Sequence, residues 1–301
     1  MKGASDHVLA VDIGGTKLAA AVVDQRGVVV HRDRTATAGS GADGLFDTLV
    51  RLIDGVRRAA EVDLAGVGVG CGGPMDAGGV RVSPLNIPQW RGFPLCDRLA
   101  SVLDLDVTID NDAKALALAE GWIGAARGKR DFLAMVVSTG VGGGIVLDGR
   151  LLDGERSNAG HIGHMIVVPD GRPCVCGASG CLEAEASGTA IAAFTGRPPV
   201  EAGEAVRVRT GRLVGQAVAS VANLLDLRLA CVAGSVALGY GDVFFGAAQA
   251  EIDASARLEF ARGTRIVPGG LGDAGPLVGA AALAWRAAGH DIGGGWSTHS
   301  R

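Results

Sequence analysis

One unit occurs twice in this chain, and it limits the possible folds more than any other feature. It consists of an apolar strand, a glycine-rich turn, a second strand, a tight turn and a third strand. The first copy has VLAVD at 8–12, the turn Gly14-Gly15-Thr16-Lys17, LAAAVVD at 18–24, a turn at Gln25-Arg26-Gly27 and a strand at 28–32. The second has a strand at 132–137, a glycine turn at 138–144, a strand at 145–147, the turn Asp148-Gly149 and a strand at 150–152. Apolar runs punctuated by such turns read as a meander of strands. Its repetition predicts two related α/β domains facing each other across a cleft.

Between and after the two units the pattern turns helical. Leu45, Leu49, Leu52, Ile53, Val56 and Ala60 fall on one helical face within 44–62. Further helices are expected at 95–102, 113–125, 213–225 and 276–288, and strands at 67–70, 107–109 and 229–233. The expected domains are 1–110, completed by the C-terminal helix at 276–289, and 111–275. A polar tail at 290–301 has too little apolar content to pack and is expected to be disordered.

Composition closes off several classes. Glycine supplies 49 of 301 residues but follows no G-x-y period and sits among apolar runs, which excludes a collagen-like or low-complexity chain. The net charge is −4 with no basic stripe, so a nucleic-acid partner is not expected. No apolar run reaches the ~18 residues of a membrane helix, and the polar N-terminus lacks the apolar centre of a signal peptide. A cytoplasmic protein with reduced thiols is the expectation.

Four constellations carry chemistry. The two glycine turns place backbone N–H groups and hydroxyls at hairpin tips, where successive N–H groups make an anion cradle. The competing explanation is a tight hairpin needing positive φ. Their equivalent positions in a duplicated unit favour one phosphate site at the cleft, although no G-x-x-x-x-G-K-[ST] loop is present. A G-x-G-x-x-G match at Gly68, Gly70 and Gly73 leads into Pro74 rather than a helix, and no acidic residue follows between 77 and 96. That rules out a dinucleotide site and leaves a loop, with Gly73, that approaches a small ligand. Asp110-Asn111-Asp112 sits between a strand end and a helix start. One of these residues is accounted for as an N-cap, and a carboxylate there can accept a proton from a substrate hydroxyl. His161 and His164, followed by Cys174, Cys176 and Cys181, supply one imidazole and three thiolates, the donor set of a closed tetrahedral Zn²⁺ site. His161 is left as an alternative ligand, a core histidine or a substrate contact. Glu183, two residues past the last cysteine, would be held rigidly by that loop.

These residues resemble the ROK family of sugar kinases and sugar-responsive repressors. The match includes DIGGTK at 12–17, NDA at 111–113, STGVGGG at 138–144, GHIGHMIVVPDGRPCVCGASGCLEAEASG at 160–188 and AGSVA at 233–237. The resemblance implies an actin-like, RNase H-like fold of two domains with a zinc-binding loop at 161–183. It also implies ATP-dependent phosphorylation of a hexose 6-hydroxyl, with Mg²⁺ accompanying ATP and a structural Zn²⁺. By the same resemblance Asp112 looks like the catalytic base. Asn86, Asn111, His161, His164 and Glu183 look like sugar contacts, with Gly73 in the neighbouring loop. Asp12, Gly14, Gly15, Thr16, Lys17, Thr139, Gly140, Gly142 and Gly143 look like the ATP phosphate site, and Gly234 and Ser235 the nucleoside site. His164, Cys174, Cys176 and Cys181 look like the zinc ligands. A homodimer or homotetramer is implied as well.

Two positions depart from family glucokinases. Those usually carry Glu where this chain has His161, and Asn where it has Lys114 after NDA. The G-H-x-x-H arrangement is similar to bacterial N-acetylmannosamine kinases, so N-acetylmannosamine is the first expected substrate, glucose the second, and other N-acylhexosamines remain open. A regulator is disfavoured because the first strand begins at residue 8, leaving no room for a DNA-binding domain in front, and because Asp112 is present. An actin-like ATPase or scaffold would leave the metal loop and Glu183 unexplained.

Overall fold

A computed structural model describes residues 5–292. The first repeat forms strands β1 (His7–Ile13), β2 (Lys17–Asp24) and β3 (Val29–Ala36). Helix α1 (Gly41–Ala60) then leads to β4 (Val67–Cys71), α2 (Leu95–Leu103), β5 (Val107–Asn111) and α3 (Asp112–Trp122). The second repeat forms β6 (Phe132–Val137), β7 (Val141–Leu147) and β8 (Arg150–Leu151). After it come α4 (Leu182–Ala186), α5 (Gly188–Thr195), α6 (Glu204–Leu225), β9 (Leu229–Ala233), α7 (Ser235–Ser255), β10 (Arg265–Pro268) and α8 (Gly275–Ala287).

The two sheets have the same plan. One is ordered β3-β2-β1-β4-β5 and the other β8-β7-β6-β9-β10. In each, an antiparallel meander of three strands continues into two parallel strands: β1 pairs antiparallel with β2 and parallel with β4, while β6 pairs antiparallel with β7 and parallel with β9. The fold is therefore α/β with two mixed sheets built on one repeated topology.

Three apolar clusters hold these layers. One lies between α1 and the first sheet, built on Leu45, Leu49, Ile53 and Val56 against Leu9, Val11 and Leu18. A second joins the other sheet to α6 and α7. The third is shared: α3 and α8 lie between the sheets and pack on Val8, Ala10 and Ala21 from one and Phe132, Ala134 and Val146 from the other. Every residue of α3 from Ala113 to Trp122 is buried, which suits a helix enclosed on all sides. Of the tail expected at 290–301, His290 packs edge-on against Trp285 with ring centroids 4.6 Å apart and Ile292 is buried. Residues 293–301 lie outside the described residues.

The second glycine turn is shorter than its sequence suggests. Only 138–140 form the turn, and Gly142, Gly143 and Gly144 are extended within β7. None of these three, nor Gly14, Gly15 or Gly140, has positive φ. They are glycine for want of space. A Cβ on Gly144 would stand 2.7 Å from Ala113 O and 2.8 Å from Ala117 Cβ, and one on Gly142 2.9 Å from Ala113 Cβ. The same holds on α3's other side, where a Cβ on Gly279 of α8 would meet Ala115 O at 2.5 Å. Gly68, from the rejected dinucleotide match, lets α8 approach β4, since its Cβ would strike the Ala280 carbonyl.

Gly144→Ala should therefore push α3 off β7 and lower stability by about 1–3 kcal/mol, as over-packing does. Chemical denaturation would measure it, and an unchanged midpoint would show that the close approach is not needed.

Candidate active site

The expected cleft is present as a cavity of about 540 Å³ lined by residues from both sheets. Asp12, next to the last residue of β1, lines it, and Gly14, Gly15, Thr16 and Lys17 form the first turn, closed by Gly14 N–H donating to Lys17 O at 2.9 Å. Facing it, Thr139, Gly140, Gly142 and Gly143 line the cavity from the second turn and β7. The Thr139 carbonyl is pinned by Thr189 Oγ1 of α5 at 2.9 Å. Gly234 and Ser235 lie where β9 passes into α7. Gly234 has φ of 101°, and a Cβ there would stand 2.4 Å from Val137 O, so glycine is required on both counts. The hydroxyl of Ser235 meets that of Ser138 at 3.0 Å, joining this corner to the second turn.

The other end of the cavity collects Gly73, Asn86, Asn111, Asp112, His161, His164 and Glu183. Asp112 opens α3. Asn111 is the N-cap, its Oδ1 accepting from Ala113 N at 3.0 Å and Lys114 N at 3.3 Å. The capping role foreseen for one member of the triplet thus falls to Asn111, and its Nδ2 is left to donate. His161 lies over Gly73, where a Cβ would stand 3.2 Å from the imidazole Cε1. Asn86 reaches over the first turn, so close that a Cβ on Gly15 would meet its Cβ at 2.7 Å.

Sequence reasoning missed how Glu183 is held. One of its oxygens accepts from Val141 N at 2.9 Å, where β7 leaves the second glycine turn, so the residue bridges the two ends of the cavity. It also missed the apolar wall of Leu238 and Pro276 beside Ser235. A signal for Leu238 was available in the helical run after AGSVA, which was not assigned as a helix.

The electrostatics are lopsided. Burial, reinforced by the nearby charge of Asp112, raises Asp12 from 3.8 to about 7, with Lys17 opposing. Burial also pushes Asp112 up, with the charge of Glu183 adding to the shift. Burial lowers the imidazole of His161, helped by His164, which keeps it neutral near pH 7.

Next to the cavity, the ligand atoms of His164, Cys174, Cys176 and Cys181 lie within 4.8 Å of one another. Cys174 Sγ is 3.6 Å from His164 Nδ1, and Cys176 Sγ is 3.7 Å from Cys181 Sγ. The loop closes through Cys174 N to Ala178 O and Gly180 N to Arg172 O, both 2.8 Å. Gly180 adopts φ of 74° with no room for a Cβ beside Val168 O. Three thiols and an imidazole converging this tightly fit a tetrahedral cation site. His161 is not in this group; it faces the cavity instead. From Cys181 the chain enters α4, which carries Glu183 into the cavity and Glu185 away from it. Glu185 is buried and is gripped by Arg172 of the loop and Arg209 of α6.

A profile of the ROK family matches residues 8–287, and the chain belongs to this family. An N-acetylmannosamine kinase of Yersinia pseudotuberculosis is 39% identical to it over 250 residues, which span 77% of this chain and 84% of that protein. Among solved structures, a ROK family glucokinase from Streptomyces griseus in complex with glucose and AMPPNP has a TM-score of 0.82 at 30% identity. The match covers 92% of this chain and 98% of that one. The ROK hexokinase from Thermus thermophilus has a TM-score of 0.78 at 32% identity, covering 94% and 99%. No helix among the described residues is long and apolar enough to cross a membrane.

Asp12 gives a pH test. Its folded-state value lies above the ordinary 3.8, so between about pH 4 and 7 the folded chain holds a proton that the unfolded chain has lost. Its contribution to stability therefore falls as pH rises through that window. Asp12→Asn, of equal size and uncharged, should melt several degrees above the parent at pH 8 and with no advantage near pH 4. Thermal melts of both proteins without added nucleotide or metal would decide it, and parallel pH profiles would count against a buried charge at this site.

Proposed function

We propose that this chain is a sugar kinase that transfers the γ-phosphoryl group of ATP to the 6-hydroxyl of a hexose or N-acylhexosamine, with N-acetylmannosamine as its first substrate. The observation that carries this reading is the placement of Asp112. Its half-buried carboxylate stands at the head of α3 and lines the cavity together with both glycine turns and with Asn111, His161, His164 and Glu183. With its affinity for protons raised by burial, Asp112 is suited to accept the hydroxyl proton as the oxygen attacks phosphorus. Gly73, Asn86, Asn111 through Nδ2, His161, His164 and Glu183 would orient the sugar. Lys17, the N–H groups of Gly15, Gly140, Gly142 and Gly143, and the hydroxyls of Thr16 and Thr139 would meet the phosphates, with Gly14 closing the turn beneath them. Gly234 and Ser235, with the Leu238 wall, would take the nucleoside.

Positioning and charge neutralisation supply most of the rate in phosphoryl transfer. Asp12, buried, and Asp112, half-buried, are two carboxylates with one lysine near them, an excess of negative charge that fits a divalent cation arriving with ATP. Mg²⁺ bound there would neutralise charge on the phosphates. The His164, Cys174, Cys176 and Cys181 set fits Zn²⁺, which when bound would lock the loop and thereby orient His164 and Glu183. The division into domains 1–110 with 276–289 and 111–275, a homodimer or homotetramer, and a cytoplasmic location belong to the same reading.

Two observations favour N-acetylmannosamine. The Yersinia relative carries that name, and His161 stands against Gly73 where family glucokinases have glutamate. An imidazole offers a donor to an acetamido carbonyl, which a carboxylate cannot. Glucose is the second reading, supported by the glucose complex of the Streptomyces relative.

Coupled ADP release across glucose, mannose, N-acetylglucosamine and N-acetylmannosamine should show N-acetylmannosamine with the highest kcat/KM. Asp112→Asn should lower kcat by at least ~10² while the protein stays folded; wild-type turnover would remove Asp112 from the mechanism.

Metal analysis of the purified protein should give about one zinc per chain. Cys176→Ser should lower that content and raise the sugar KM. A metal-free chain with full activity would refute the structural role of the ion.

A further inference from the structure

Lys114 is the residue at which NDA departs from the family glucokinase pattern, and it does not line the cavity. It is the third residue of α3, fully buried. Its ammonium stands 2.9 Å from Asp110 Oδ1 and 2.7 Å from Asp153 Oδ1, and donates to Ser157 O at 3.4 Å. Lysine has three N–H donors, and these contacts satisfy all three. A buried ammonium is retained only where such partners exist, so the site is built around it.

The partners connect two regions that bear on the sugar side of the cavity. Asp110 precedes Asn111 and Asp112, and its Oδ1 also accepts from Asn111 N at 2.7 Å. Asp153 and Ser157 belong to the segment 153–160, which runs directly into His161. Apart from Lys114, this segment is anchored by Asn158, which exchanges hydrogen bonds with Met75 N and O at 3.2 and 2.9 Å, and by Gly160, packed on Gly143. Without the ammonium, Asp110 and Asp153 would face each other as like charges, and 153–157 would be held by bonds within the segment 153–160, such as Ala159 N to Asp153 O at 2.9 Å.

We propose that Lys114 is a positioning residue for sugar recognition: it clamps the segment 153–160 to the strand end that carries Asn111 and Asp112, and so sets where His161 stands over the sugar site. The proposal rests on the sugar-kinase reading for its consequence and on the contacts above for the clamp.

Asp153→Asn is the main test, because the Asp153 side chain is 53% exposed and its loss is compatible with folding. Lys114→Gln and Lys114→Arg complete the set. Asp153→Asn should raise the sugar KM about three- to tenfold, the effect of losing one partly exposed charged contact, with kcat and the ATP KM within about twofold of wild type. Lys114→Gln should do the same more strongly, and Lys114→Arg should recover part of the loss. Amide exchange in 153–161 should quicken in the first two variants while exchange in α3 does not. An unchanged sugar KM with unchanged exchange overturns the proposal. So does an equal loss in kcat and in both KM values, the mark of a purely structural lysine. Should wild type phosphorylate none of the sugars, the kinase reading fails separately, and amide exchange alone decides whether the clamp exists.

Discussion

The rest of the structure depends on how closely α3 is allowed to approach its neighbours. Helix backbones usually pack 8–10 Å apart, at a distance set by the side chains between them. Here the contact is made by alanine on α3 and glycine on β7 and α8, so carbonyls and α-carbons touch directly. This arrangement draws the two sheets in around one shared helix pair. Because α3 begins where β5 ends, the same packing carries Asn111 and Asp112 to the junction of the two halves. Asn111 satisfies the first N–H groups of α3, which leaves Asp112 at the helix's positive end with its carboxylate facing the cavity.

Buried charge is distributed in two ways, and the difference separates support from chemistry. Lys114 meets three acceptors, and Glu185 meets two guanidinium groups and a backbone N–H from Arg172 at 2.7 Å. One oxygen of Glu120 accepts from Ala125 N at 2.7 Å and Gly270 N at 3.0 Å, tying the end of α3 to the loop that leads into α8. These groups hold segments of chain together. Asp12 and Asp112 are not gripped in this way: burial shifts both upward, with the charge of Asp112 adding at Asp12 and that of Glu183 adding at Asp112. Charge left uncompensated in a cavity is a common mark of a site that works on an incoming ligand.

The sequence was legible where one period or one donor set ruled. The repeated meander, the amphipathic α1 and the three-cysteine loop follow from apolar alternation, helical spacing and the chemistry of thiolates. The glycines were harder. Gly142, Gly143 and Gly144 read as turn because glycine usually marks chain reversal, yet they are strand residues whose missing side chains admit α3 and the segment at 160–162. Nothing local distinguishes the two uses; only the partner across the interface does. Lys114 was visible as a departure, but its partner Asp153 lies across a loop, and no spacing rule links them. Glu183 was singled out as held by the metal loop, whereas its bond to Val141 depends on α4, a helix too short to announce itself.

That bond has a consequence for how the two ends of the cavity communicate. Glu183 sits two residues after Cys181 of the His–Cys cluster and accepts from the first residue of β7. A shift in the cysteine loop would therefore be felt at the second glycine turn as well as at the end of the cavity that holds His161 and His164. The turn is also fastened from the outside, by Thr189 to the Thr139 carbonyl and by Ser235 to Ser138, so it has little freedom of its own. In the proposed reaction the phosphoryl group must lie in line with the sugar hydroxyl, and small errors of placement are costly. On that proposal, the hydrogen bond between the Glu183 carboxylate and the Val141 N–H would fix the distance between the two substrates without contributing an atom to the chemistry.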